Sequence, residues 1–120
     1  MCHVLIIEDE PLIALNLQML LEDSGATSVD IAETQDGAVS AARAHRPDFI
    51  TSDITLKRGT GPLAVQTIHE TLGAVPVIFI TATPEACFPR DPNVRVFGKP
   101  MNEPAIARAF QELTPRCGGC

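Results

Sequence analysis

The sequence predicts a doubly wound α/β domain, a parallel sheet with helices on both faces. Three observations predict it. Short β-branched and aliphatic runs alternate with helical stretches along the whole chain. Several of these runs are apolar throughout rather than alternating, as strands buried on both faces must be. The acids that interrupt them fall at the ends of the runs, where such sheets gather their chemistry.

The elements follow in order. Val4-Leu5-Ile6-Ile7 is a buried strand that stops at Glu8, Asp9 and Glu10. Pro11 opens a helix, since proline is tolerated in a first turn. Ile13, Leu17, Leu20 and Leu21, with Leu12, Leu15 and Met19 beside them, form a broad apolar stripe expected to be core. Gly25 suits the stop just past that helix. Ser28 to Ala32 is a second strand. Thr34 or Asp36 caps a second helix that carries Ala38, Val39, Ala41 and Ala42 up to His45, and Pro47 ends the segment. Phe49-Ile50-Thr51-Ser52-Asp53 is a third strand ending in an acid. Turn chemistry from Lys57 to Pro62 leads into a third helix, from about Pro62 to Leu72. Val75 to Ile80 is the most apolar strand and runs into Thr81-Ala82-Thr83. Val94 to Phe97 is the fifth strand, followed by Gly98-Lys99-Pro100. Residues 102 to 113 form the last helix, capped by Asn102. The segment 114–120 holds Pro and Gly and reads as a mobile tail after a single domain over 1–113.

The segment between Thr81 and the fifth strand contains Pro84, Pro89 and Pro92. Proline inside a helix costs about 3 kcal/mol, so the helix expected there is short or missing.

Composition narrows the function. The chain has 120 residues, one domain's worth, with 45% hydrophobic residues and a formal net charge of −6. It has no basic cluster, which argues against nucleic acid or an anionic membrane as partner. No apolar run approaches a membrane span, and the acidic N-terminal segment is unlike a signal peptide, so a cytoplasmic location is expected. Four cysteines, at 2, 87, 117 and 120, do not resemble a disulfide framework. Cys117-Gly-Gly-Cys120 has redox spacing but follows a helix instead of opening one. His3, His45 and His69 lie on different elements with no ligand spacing, as surface or element-end histidines do.

In a parallel sheet, Glu8, Asp9, Asp53, Thr81 and Lys99 all converge on one rim. Clustered carboxylates repel, by about 4 kcal/mol for two charges 4 Å apart at an effective dielectric near 20. They therefore hold a proton or recruit a cation. An all-oxygen donor set without His or Cys favours Mg²⁺. Next to such a cation, one carboxylate can act as nucleophile toward a phosphoryl group, with an ammonium and a hydroxyl on its oxygens.

Four features in order, each after the right strand, resemble response-regulator receiver domains. They are the acid pair Glu8-Asp9, the acid of DFITSDITL, Thr81-Ala82 and Lys99-Pro100. The resemblance runs from about Val4 to Leu113, and Gly61 matches the family's loop glycine. It implies a flavodoxin-like five-stranded sheet of order 2-1-3-4-5. It implies that Asp53 is the phosphoacceptor. Mg²⁺ would be held by Asp9, Asp53, the Thr55 backbone carbonyl and, through water, Glu8. Thr81 and Lys99 would contact the phosphoryl group. The implied donor is a sensor histidine kinase or a histidine phosphotransfer protein, and the implied output is another protein. IEDEPLIALNLQMLLED and VPVIFITATPE look like receivers of general-stress-response regulators served by HWE-type kinases.

Three departures stand out. Val96 occupies the position of the family's aromatic switch residue, with Phe97 one residue later and so facing the other way. Lys57 stands where the family often has proline. The chain ends soon after its last helix, which suggests a receiver without an attached output domain. The competing readings are a phosphorylation-independent binding module and a small Mg²⁺-dependent phosphatase. The phosphatase would want a second acid where Thr55 stands.

Overall fold

The uninterrupted apolar character of the first strand requires cover on both faces, and the fold supplies it. In the computed structural model, residues 2–81, 94–99 and 101–114 are described. Strands β1 (His3–Ile7), β2 (Ser28–Ala32), β3 (Phe49–Asp53), β4 (Val77–Thr81) and β5 (Val94–Gly98) form one sheet of order β2-β1-β3-β4-β5. Every pair is parallel. Helices α1 (Pro11–Asp23), α2 (Gln35–Ala44), α3 (Gly61–Leu72) and α4 (Glu103–Leu113) cover it. The predicted order and the flavodoxin-like architecture are borne out.

Alternation along each strand divides the core into two layers. Val4, Ile6, Phe49, Ile78 and Ile80 face α1 and α4, meeting Leu17, Leu21, Ile106 and Phe110. Phe49 and Phe110 pack edge to face with ring centroids 4.9 Å apart. Leu5, Ile7, Ile50, Val77 and Phe79 face α2 and α3, meeting Ala38, Ala42, Ala64, Val65 and Ile68. The second layer uses alanines on α2, which lets that helix lie close to the sheet.

Caps fix the helix starts, and so the loops of the upper rim. The Thr34 hydroxyl accepts from Gly37 N–H at 3.0 Å, which settles the choice between Thr34 and Asp36. Thr60 caps α3 and Asn102 caps α4 in the same way. Pro11 sits in the first turn of α1, as expected. Gly25, just past α1, has φ 124°, a conformation that favours glycine.

Three expectations shift. The apolar stripe of α1 is narrower than read, because Ala14, Leu17 and Leu21 are buried while Leu12, Leu15 and Met19 are exposed. A helix buries only the face turned to the sheet, and these three lie beyond its edge. β4 begins at Val77 rather than Val75, since Pro76 has no N–H to give a ladder. Its carbonyl still accepts from Ile50 N–H at 3.0 Å. Thr114 is buried, with its amide and hydroxyl both donating to the Phe110 carbonyl, so the cap of α4 uses the first residue of the expected tail. The proline-rich segment and residues 115–120, with Cys117 and Cys120, lie outside the described residues. Cys2 is buried and disulfide-bonded, a bond that the reading of the four cysteines as no disulfide framework did not anticipate. The other three cysteines lie outside the described residues.

Candidate functional site

The carboxyl ends of β1 and β3 are neighbours, because Ile7 is paired with Ser52. The residues just beyond them therefore meet. Glu8, Asp9 and Asp53 each bring a carboxylate oxygen within 4.8 Å of the others. The strand order does this without any special loop, as the rule for open parallel sheets requires.

Each acid is held differently. Glu8 is 2% exposed, and one of its oxygens accepts from Glu10 N–H at 3.1 Å. Burial, with help from the Asp53 charge, raises its carboxyl from 4.5 to about 7 against the opposing pull of that hydrogen bond and of Lys99. Asp9 is half-buried beside it. Asp53 is half-buried; its Oδ1 accepts from Ile54 N–H at 2.8 Å. Its Oδ2 accepts from Lys99 Nζ at 3.1 Å.

Lys99 reaches this point because its backbone N–H donates to the Thr81 carbonyl at 2.8 Å, extending the β4–β5 ladder by one residue. Burial lowers the ammonium, but the hydrogen bond and charge of Asp53, with Glu8 and Glu10, outweigh it and hold Lys99 above its usual range. Thr81 is buried at the end of β4, one residue past the Asp53–Ile80 pair. Thr55 lies two residues beyond Asp53, exposed, and bridged to Thr60 across the β3–α3 loop. Glu8, Asp9, Asp53 and Lys99 are thus brought together, with Thr81 and Thr55 on adjoining backbone. Lys57 is exposed in the same loop.

Two supports of the site carry little signal in the sequence. A Cβ on Gly61 would lie 1.9 Å from the Asp53 carbonyl oxygen and 2.1 Å from Ser52 Oγ, so only glycine allows α3 to begin this close to the acid. Gly61 N–H donates to the Ile54 carbonyl at 3.0 Å. Gln35, at the start of α2, donates its N–H to the Arg58 carbonyl and accepts from Thr60 N–H through its side chain, tying down the loop that carries Thr55. The resemblance had drawn attention to Gly61; nothing in the sequence marked Gln35.

On β5 the two candidate switch positions face opposite ways. Phe97 packs on the α1–α4 layer and Val96 on the α2–α3 layer. The expected reversal is observed.

The histidine reading needs correction. His3 and His45 do lie at element ends, as expected, but His3 is buried and the two rings meet, stacked with centroids 3.6 Å apart. His69, in the last turn of α3, is hydrogen-bonded to the Val75 carbonyl.

The donor set fits Mg²⁺. All three converging side chains offer hard oxygens, and burial raises the Glu8 carboxyl to about 7, a penalty on its charge that a bound cation would relieve.

The profile of the response regulator receiver domain family matches residues 4–90. The phyllosphere-induced regulator PhyR of Methylorubrum extorquens is 48% identical over 85 residues, covering 69% of this chain and 32% of that protein. The solution structure of the PhyR receiver (REC) domain of Erythrobacter litoralis superposes with TM-score 0.82 at 31% identity, covering 99% of this chain and 94% of that one. A crystallised PhyR from Bartonella quintana, described as an anti-anti-sigma factor, gives TM-score 0.81 at 35% identity, covering 93% of this chain and 48% of that one. The chain spans about a third of the length of the curated PhyR it matches. These likenesses agree with the finer resemblance read from the first helix and fourth strand. No helix among the described residues is long and apolar enough to cross a membrane. Sheet order, rim chemistry and likeness to other proteins agree, and the chain belongs to the response regulator receiver domain family.

Proposed function

We propose that the chain is a phosphorylation-switched signalling module in which Asp53 accepts a phosphoryl group from a phosphohistidine. One observation carries the reading. Three carboxylates from two adjacent strand ends share one spot with the Lys99 ammonium, 3.1 Å from Asp53 Oδ2.

Asp53 Oδ2 would attack the phosphorus, forming an acyl phosphate as the P–N bond to the donor imidazole breaks. The electron pair leaves with the imidazole, which keeps or takes up a proton from solvent. The Ile54 amide holds Oδ1, which leaves Oδ2 as the attacking oxygen. Lys99 would pass from Oδ2 to a phosphoryl oxygen, and the Thr81 hydroxyl would donate to another. Asp9, Asp53, the Thr55 carbonyl and, through water, Glu8 would hold Mg²⁺. The ion, when bound, neutralises the acids and the phosphoryl oxygens.

The donor would be a sensor histidine kinase or a phosphotransfer protein of the cytoplasm. The resemblance of the first helix and fourth strand to general-stress-response receivers would make that kinase one of the HWE type, and likeness to a PhyR described as a stress response regulator supports an output protein in a stress pathway. Incubation with Mg²⁺ and a small acyl phosphate should add one phosphoryl group to wild type and none to Asp53→Asn. An unmodified wild-type mass overturns the reading.

Val96 supports a second reading. Without an aromatic on that face of β5 the usual relay from Thr81 is missing, which suits a binding module that ignores phosphorylation. A partner binding equally to wild type and Asp53→Asn would establish it.

A further inference from the structure

The opposite rim of the sheet carries a second cluster. His3 begins β1, and Ser28 and Asp30 lie on β2, paired with His3 and Leu5. His45 follows the last residue of α2, which returns the chain to the amino ends of the strands. His3 is 5% exposed, and its ring is anchored at both nitrogens. Nδ1 lies 2.7 Å from Ser28 Oγ, and Nε2 lies 3.0 Å from Asp30 Oδ2. The His45 ring stacks on it at 3.6 Å, with 11° between the planes. One ligand atom from each of His3, Asp30 and His45 lies within 4.8 Å of the others.

We infer that His3, Asp30 and His45 form a binding site for a divalent transition metal of the Zn²⁺ class, separate from the acids around Asp53. Several features point the same way. Two imidazoles and one carboxylate are a borderline donor set that Zn²⁺ prefers and Mg²⁺ does not. An imidazole that ligates through one nitrogen is fixed by a hydrogen bond at the other, and Ser28 Oγ supplies that bond to His3. In the tautomer in which His3 Nδ1–H donates to Ser28, the bare Nε2 and the Asp30 carboxylate present lone pairs to the same spot.

Tetrahedral Zn²⁺ with bonds of 2.0–2.1 Å holds its ligand atoms about 3.3 Å apart. Reaching this from the observed cluster takes rotation of the Asp30 and His45 side chains, the His45 ring leaving its parallel stack so that a nitrogen turns toward the ion. His45 is exposed and the half-buried Asp30 keeps its side chain 44% exposed, so both can turn, while buried His3 stays fixed. With three protein ligands, the fourth position falls to water. A bound ion would tie the end of α2 to β1 and β2, so it should act on stability without touching the phosphoacceptor.

The bland alternative is a His3–Asp30 ion pair under a packed ring. The two differ in Zn²⁺ titration calorimetry of the whole chain, with free thiols alkylated and the Asp53 cluster saturated with Mg²⁺. Wild type should bind one Zn²⁺ more than Asp30→Asn or His45→Ala, both surface changes that leave the core intact. The imidazole resonances of His3 and His45 should shift on the same titration. Ser28→Ala should keep the stoichiometry and weaken binding about tenfold. Equal stoichiometry and affinity in wild type and both ligand variants, or imidazole resonances that ignore Zn²⁺, would overturn the assignment.

Discussion

Lys99 Nζ lies 3.1 Å from Asp53 Oδ2, although Asp53 ends β3 and Lys99 follows β5, with β4 between the two strands. The lysine crosses that gap because its backbone continues the ladder with Thr81 and its side chain then runs along the rim. The contact places the only cation bonded to the acid cluster, among the described residues, on the oxygen proposed to attack.

Lys99→Ala should therefore slow phosphorylation of Asp53 by an acyl phosphate about 100-fold, the usual loss when one preorganised donor is removed. Stability should fall as well, because the pair is mostly buried and the variant leaves the acid cluster without its bonded cation. Phosphorylation kinetics by mass spectrometry and a denaturant melt check the two halves. An unchanged rate would remove Lys99 from the chemistry.

Glu8 makes a pH prediction with a definite sign. Its carboxyl stands at about 7 in the fold against 4.5 ordinarily. Between these values folding takes up a proton. The contribution to stability is therefore complete below pH 4.5 and is lost as pH rises through 7. Without Mg²⁺, wild type should lose stability from pH 6 to pH 8 relative to Glu8→Gln, which has no such proton. If metal binding displaces that proton, the apparent Mg²⁺ affinity should rise about tenfold per pH unit up to about pH 7 and then level. Denaturant melts of both proteins and Mg²⁺ titrations at three pH values measure this. A wild type that tracks Glu8→Gln would show Glu8 to be ionised throughout.

The rim chemistry was legible because a parallel sheet sends all its strand ends to one edge, so linear order alone places Glu8, Asp9 and Asp53 together. β2 and β3 have the bounds expected from their patterns for the same reason, since alternation and turn residues are local. The opposite rim was not legible. His3 meets His45 only because α2 has the length to bring its last residue back over the start of β1, and register sets Ser28 beside His3. Neither quantity is written in the spacing of the histidines. The apolar stripe of α1 misled for a related reason. Leu12, Leu15 and Met19 have the residue type of core positions, but burial depends on the width of the sheet beneath them.

Gly61→Ala should damage both fold and site. The new methyl would lie 1.9 Å from the Asp53 carbonyl oxygen, and backbone cannot yield that far without moving the start of α3. Overpacking of this kind costs roughly 1–3 kcal/mol. The displaced loop carries Thr55 with it and presses on the backbone of Asp53 at the end of β3. Phosphorylation should fall even in the fraction that remains folded. Melting and phosphorylation at low temperature separate the effects, and a variant with wild-type values in both would show that the loop absorbs the methyl.

Thr51 offers the reverse experiment. It is fully buried on β3, between Ile6 and Ile78, and its Oγ1 has no hydrogen-bond partner among the described residues. A buried hydroxyl left unpaired costs about 1–3 kcal/mol. Valine has nearly the same shape and keeps the β-branch that suits a central strand. Thr51→Val should therefore stabilise the protein by about 1 kcal/mol, read as a rise in denaturant midpoint with no change in slope. Thr51 lies two residues before Asp53 on the same face, so the same variant tests whether the unpaired hydroxyl serves the site. Unchanged phosphorylation with higher stability identifies it as a tolerated defect of the core. Slower phosphorylation at unchanged stability would mean that the hydroxyl acts in the chemistry and that the stability argument fails.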